Sequence, residues 1–242
     1  MNPRDKIILA LDVDTEREAM SLVDELSDLI GIFKIGMQLF YSAGPDIVRK
    51  IAGAGHRVFV DLKFHDIPNT VQVATRAITR LGAHMLNVHV AGGPEMMRQA
   101  IKGACEEGSK SGKQPPLLLG VTVLTSISEE QLQKELKISL SMEQLVREWA
   151  LMAKECGLAG VVASPREIAA VREACGPEFL IVTPGVRPAW AEKDDQQRIT
   201  TPSQAVRMGA DYIVVGRPIL KETNRRDATK RVIEELEGQH DE

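Results

Sequence analysis

The chain has 242 residues, 43% of them hydrophobic and 26% charged, the make-up of a folded globular protein; a disordered chain, a collagen and a small disulfide scaffold are excluded. Its 30 basic residues against 34 acidic ones leave a net charge of −4. That offers no overall attraction for nucleic acid or an anionic membrane, so any anion must be held by a local site.

Along the chain, short apolar runs alternate with amphipathic stretches at about the 30-residue period of a βαβ unit. Residues 6–13 (KIILALDV) read as a first strand, with Asp14 placed to N-cap a helix over 15–29. Residues 32–37 (IFKIGM) form the second, followed by a helix over 45–54 that ends on Gly55. The third spans 57–64 (RVFVDLKF), and its helix, 71–81, stops at Gly82. The fourth is 85–90 (MLNVHV); a helix over 95–107 follows the Gly92-Gly93-Pro94 turn, and 108–116 reads as a plain turn back. The fifth strand, 117–124 (LLLGVTVL), leads into a long connection, 125–141, and a helix over 142–156. The sixth is 159–164 (AGVVAS), with a helix over 165–174. The seventh, 179–186 (FLIVTPGV), opens a second long connection, 187–201, before a helix over 202–208. Strand eight is 212–216 (YIVVG), and a helix over 226–236 closes the series.

The runs are near-continuous in Val, Ile and Leu, as in parallel strands buried on both faces. Eight strands alternating with eight helices predict an α/β fold, a single-domain (β/α)8 (TIM) barrel over residues 1–242. A doubly wound open sheet is the alternative, and usually has fewer strands. Both long connections follow the C-terminal ends of strands, where barrel active sites lie, and read as lid candidates. No apolar run reaches the roughly 18–20 residues of a membrane span. The segment 1–6 leads only into a short apolar stretch, unlike a signal peptide. Cys105, Cys156 and Cys175 form no CxxC pair, which speaks against a zinc knuckle or a disulfide framework and fits a reducing cytoplasm.

The informative residues are charges at the ends of apolar strands, where an unpaired charge would cost several kcal/mol. Asp12 ends strand one, and Lys34 lies inside strand two between Phe33 and Ile35. Asp61 and Lys63 alternate in strand three and so project from one face; Asp66 follows in the run DLKFHDIPNT, 61–70. Ammonium groups flanked by carboxylates stay protonated, which suits a positioned proton donor. A carboxylate beside an anionic substrate destabilises it until that charge leaves. Loss of CO2 followed by proton delivery to carbon fits both features; an internal ion-pair lattice is the plain alternative. His65 and His89 read as structural, though with Asp61 they leave a divalent-metal site as an alternative.

A second group suits phosphate. Strand seven leads into Thr183-Pro184-Gly185-Val186-Arg187-Pro188, and strand eight ends Val214-Val215-Gly216-Arg217-Pro218-Ile219. Barrels often hold phosphate with the loops after these two strands. Arginine supplies planar bidentate recognition, and glycine lets backbone N–H groups approach. Gln196 in the long loop could add a hydrogen bond. Thr125 and Ser126, ending strand five, could read polar atoms of a substrate ring.

These segments together resemble the orotidine 5′-phosphate decarboxylase family: DLKFHDIPNT at 61–70, preceded by ALDVD at 10–14 and FKIG at 33–36, then VTVLTS at 121–126, TPGVRP at 183–188, DDQQR at 194–198 and VVGRPI at 214–219. The resemblance runs essentially end to end and is closest to the short bacterial form, without the phosphoribosyltransferase of the bifunctional enzymes. It implies conversion of orotidine 5′-monophosphate to UMP and CO2, the last step of pyrimidine nucleotide synthesis, with no metal and no organic cofactor. It implies a charged tetrad of Lys34, Asp61, Lys63 and Asp66, in which Lys63 protonates C6 and Asp61 lies against the substrate carboxylate. Asp12 and Lys34 would contact the ribose, and Thr125 and Ser126 the pyrimidine. Arg187, Gln196, Gly216 and Arg217 would hold the 5′-phosphate. Asp66, Ile67 and Thr70 would complete the neighbouring subunit's site, making the active form a homodimer in the cytoplasm, with no nucleic-acid or membrane partner.

Two alternatives stand beside this reading. Mg2+-dependent sugar-phosphate aldolases and decarboxylases on a related barrel share the Asp-x-Lys-x-x-Asp run but carry an acidic residue where this chain has Lys34. A non-catalytic nucleotide-binding barrel would keep the arginines and lose the charged tetrad.

Overall fold

A computed structural model of the chain describes residues 2–191 and 200–238. The strands are β1 (Ile7–Ala10), β2 (Ile32–Gly36), β3 (Arg57–Phe64), β4 (Met85–His89), β5 (Leu117–Val121), β6 (Gly160–Val162), β7 (Leu180–Thr183) and β8 (Tyr212–Val215). All pair in parallel with their sequence neighbours, and β8 pairs with β1, so the sheet closes into a barrel in the order of the chain. The helices are α1 (Glu16–Leu26), α2 (Met37–Ala43), α3 (Asp46–Gly53), α4 (Pro68–Leu81), α5 (Gly93–Ser111), α6 (Glu129–Lys134), α7 (Met142–Glu155), α8 (Ile168–Cys175), α9 (Pro202–Arg207), α10 (Arg217–Leu220) and α11 (Arg225–Glu237). The expected (β/α)8 barrel is the fold observed. None of the described helices is long and apolar enough to cross a membrane.

Alternation along the strands separates two cores. Outward residues such as Leu9, Phe33, Val60, Leu86, Ile181 and Ile213 pack with the helices into the larger one. Inward residues Ile8, Ile32, Phe59, Met85, Leu119, Val182 and Tyr212 plug the barrel's lower half. The next inward position up is Ala10 on β1, Lys34 on β2, Asp61 on β3, Asn87 on β4 and Val121 on β5, so the polar layer lies directly on an apolar plug.

Several boundaries differ from the sequence expectation for local reasons. Thr15, not Asp14, caps α1: Thr15 is extended and accepts the Glu18 N–H at 3.2 Å, while the Asp14 carboxylate accepts from Gln38 Nε2 at 2.8 Å. Helix α3 ends with Ala54 as cap, and Gly55 follows at φ 91°. Helix α4 begins three residues early, since Pro68 serves as its first helical residue. Helix α5 continues to Ser111 and is closed by Gly112 at φ 65°, so the predicted turn over 108–116 is half helix. Helix α2 has a single buried side chain, Leu39, too little periodicity to announce it. The 125–141 connection contains α6, opened by a reciprocal capping box between Ser128 and Gln131.

Opposite the strands' C-terminal ends, Arg172 at the end of α8 ties down the entries to β7 and β8. Its Nη1 donates to the carbonyls of Gly176, Pro177 and Phe179 at 2.8–3.0 Å. Its Nη2 donates to the Gly209 carbonyl at 2.6 Å and to Asp211 Oδ2 at 2.7 Å. Arg172→Met strips these acceptors of their donor and is expected to cost about 2 kcal/mol of stability, read from urea unfolding, without altering the opposite face.

Candidate active site

A cavity of about 310 Å³ opens at the C-terminal ends of the strands. Seven of the eight strands or the turns after them contribute to its wall, from Ala10 and Asp12 on the β1 side to Gly216 and Arg217 after β8; β4 lies behind. Of the residues singled out in the sequence, Asp12, Lys34, Asp61, Lys63, Thr125, Arg187, Gly216 and Arg217 all line it.

Asp61 is the hub of the polar layer. Lys34 Nζ is 3.2 Å from its Oδ2 and 3.6 Å from Asp12 Oδ1, and Lys63 Nζ donates to Asp61 Oδ1 at 2.6 Å. Lys34 is only 8% exposed although it is a lysine within a strand. Burial pushes the Asp61 carboxyl up, but the ammoniums of Lys34 and Lys63 and hydrogen bonds from Lys63 and Asn87 outweigh it, holding the group below the usual carboxylate range. The carboxylate therefore stays charged at neutral pH inside a largely apolar barrel.

Lys63 does not reach this place by simple alternation. Val60 pairs with Leu86 and Phe64 with Val88, so three residues of β3 stand opposite one residue of β4. This bulge puts Lys63 at φ 51°, left-handed backbone that a lysine rarely adopts. Asn87, the β4 residue facing the bulge, was not singled out in the sequence. The signal was a lone amide among the apolar residues of MLNVHV.

His65 and His89 lie side by side, ring centroids 5.3 Å apart. Burial, then the neighbouring His65 and Lys63, push the His89 imidazole below its ordinary value, which favours a neutral ring. Among the described residues no three His, Cys, Asp or Glu side chains gather as a metal site, and the Lys34 ammonium occupies the space between Asp12 and Asp61.

On the other side, Gly185 adopts φ 75° after β7, and Arg187 is 5% exposed. The Arg187 N–H donates to the Thr200 carbonyl at 3.0 Å, and Val186 bridges to Thr200, closing the base of the connection. Helix α11 packs on that base, where Arg231 lies 3.9 Å above the Trp190 ring. A Cβ on Gly216 would meet Ala10 Cβ at 3.3 Å and Asp12 Oδ2 at 3.4 Å, so the bare backbone there brings β8 close to β1. Gln196 lies outside the described residues. Ser164, two residues after β6, also lines the cavity and is not among the sequence candidates.

The remaining candidates stand apart. Asp66, Ile67 and Thr70 are exposed at the start of α4, and none lines the cavity. The Asp66 carboxylate accepts from the Ile67 N–H at 2.7 Å rather than joining Lys63, so within one chain the predicted tetrad is a triad with Asp12 beside it. Ser126 is exposed and outside the cavity wall.

A model of the orotidine 5′-phosphate decarboxylase / HUMPS family matches residues 5–232. Orotidine 5′-phosphate decarboxylase of Syntrophomonas wolfei is 58% identical over 238 residues, covering 98% of this chain and all of that one. The enzyme of the same name from Moorella thermoacetica is 52% identical, covering 98% of this chain and 94% of its own. The crystal structure of orotidine 5′-phosphate decarboxylase from Lactobacillus acidophilus superposes with a TM-score of 0.84 at 39% identity, covering 95% of this chain and 98% of that one.

Proposed function

Since the chain belongs to the orotidine 5′-phosphate decarboxylase / HUMPS family, we propose that it decarboxylates orotidine 5′-monophosphate to UMP without metal or organic cofactor. The observation that carries this reading is an ionised carboxylate, Asp61, held between two lysine ammoniums on one side of a cavity whose other side presents Arg187 and Arg217.

The substrate carries a phosphate at one end and a ring carboxylate at the other. Arg187, Arg217 and the backbone at Gly216 take the phosphate. Asp12 and Lys34 take the ribose hydroxyls, and Thr125 the pyrimidine edge. The substrate carboxylate is then set against Asp61, whose own charge is fixed by Lys34 and Lys63. This repulsion is relieved as the C6–carboxylate bond breaks and neutral CO2 departs. The bonding electron pair stays on C6, where the Lys63 ammonium stabilises it and gives up one proton to form the C6–H bond. Solvent then reprotonates the amine. Lys34, already placed between Asp12 and Asp61, would repel a divalent cation there, which weighs against the Mg2+-dependent alternative.

The active form in this reading is a homodimer. Ile67 is 68% exposed, a large apolar side chain between Asp66 and Pro68 at the rim of the barrel. Pairing of two rims would cover it and bring Asp66 and Thr70 to the partner's cavity.

Lys63→Ala is expected to lower kcat by about 10,000-fold, the upper range for a positioned acid, while UMP binding stays measurable by calorimetry; retained turnover would place the proton donor elsewhere. Arg217→Ala should reduce kcat/KM for the phosphorylated substrate about 100-fold, as loss of a charged phosphate contact requires. Full efficiency in that variant would remove Arg217 from the phosphate site. Ile67→Glu should elute as a monomer in gel filtration and lose most of its turnover, whereas a fully active monomer would contradict the shared site.

A further inference from the structure

Asn87 has no place in the chemistry above, yet it is 1% exposed at the centre of the polar layer. An amide buried in a barrel is tolerated only if its donor and acceptor are paired. Its Nδ2 donates to Asp61 Oδ1 at 2.8 Å, and its Oδ1 accepts the backbone N–H of Lys63 at 2.8 Å. This orientation is fixed by its partners, because a backbone N–H can only donate and an ionised carboxylate can only accept. Lys63 Nζ returns to the same Asp61 Oδ1. Asn87, Lys63 and Asp61 thus close a ring in which the lysine is held at both ends: its backbone by Asn87, its ammonium by the carboxylate that Asn87 also holds.

The bulge explains why a side chain is needed. Between the Val60–Leu86 and Phe64–Val88 pairs, β3 has two residues more than β4, and the ladder loses its regular backbone partners there. Asn87 Oδ1 replaces the missing carbonyl acceptor for Lys63, which sits at φ 51°. Asn87 itself does not line the cavity.

We propose that Asn87 is a positioning residue for the proton donor: it stabilises the bulged backbone of Lys63 and fixes Asp61 Oδ1 as the anchor of the Lys63 ammonium, without touching substrate. The proposal rests on the decarboxylase reading. A group that acts through Lys63 should change the chemical step and leave ligand affinity alone.

The test begins with wild-type turnover of orotidine 5′-monophosphate, whose absence would overturn the decarboxylase reading and this one with it. Given wild-type turnover, Asn87→Ala should lower kcat about 100-fold, the scale of a misplacement near 1 Å, with KM and the Kd for UMP within about threefold. Asn87→Asp keeps the side chain's shape and its acceptor for the Lys63 N–H, but sets a second carboxylate against Asp61 Oδ1. It should be as slow as the alanine variant at pH 8 and regain rate, relative to wild type, as pH falls, because a proton shared by the two carboxylates restores the lost donor. The ammoniums of Lys34 and Lys63 face that pair and oppose proton uptake, and the neighbouring His89 and His65 add to this only when charged, so recovery belongs to the acid side. Wild-type kcat in Asn87→Asp at pH 8, or equal losses of kcat and UMP affinity in a folded variant, would overturn the proposal while leaving the decarboxylase reading intact.

Discussion

One constraint organises the upper half of this barrel: a carboxylate must stay ionised among apolar strands. Asp61 does so because Lys34 reaches it from β2 and Lys63 from its own strand. Each group alone would be a costly buried charge; removing one partner from such a set costs about 3–5 kcal/mol. The surrounding features serve that balance. The apolar plug of Phe59, Met85, Leu119 and Tyr212 gives the charges a dry floor. The β3 bulge brings a second ammonium to the same carboxylate, and Asn87 accepts the Lys63 N–H at the bulge while donating to Asp61.

Binding and chemistry are thereby separated across one cavity. The charged triad belongs to β2 and β3, the arginines to the turns after β7 and β8. Closing the sheet between β8 and β1 leaves so little room beside Gly216 that a side chain there would press on Ala10 and Asp12, so the two regions share one wall. Helix α11 steadies the base of the connection after β7 from outside through Arg231, which lies over the Trp190 ring. Contacts to a remote phosphate can in this way position a reacting carbon without the phosphate group taking part in bond breaking.

Much of this was legible in the sequence because barrel strands are continuous apolar runs, and charges within them stand out. The eight strands and the charges of Asp12, Lys34, Asp61 and Lys63 stand out on that signal, and the two arginines stand out because each follows a glycine in the turn after strand seven or eight. What escaped was set by tertiary geometry. Alternation placed Asp61 and Lys63 on one face, but the bulge that brings them together depends on register with β4, which one strand's sequence does not reveal. Asn87 read as an ordinary strand residue because its value lies in what it faces. Asp14 and Thr15 are both good caps, and only the packing of α2, which gives Asp14 to Gln38, decides between them. Asp66 lies at the rim with its carboxylate on the adjacent backbone, outside its own cavity, where a residue expected to serve a neighbouring subunit's site would stand.

The account stands most directly on the reaction itself. Purified protein is mixed with orotidine 5′-monophosphate, and loss of the orotate ultraviolet band is followed with and without EDTA. Conversion to UMP at the same rate in both is the predicted result. A folded protein that leaves the nucleotide unchanged, or turnover that EDTA abolishes and Mg2+ restores, would contradict it.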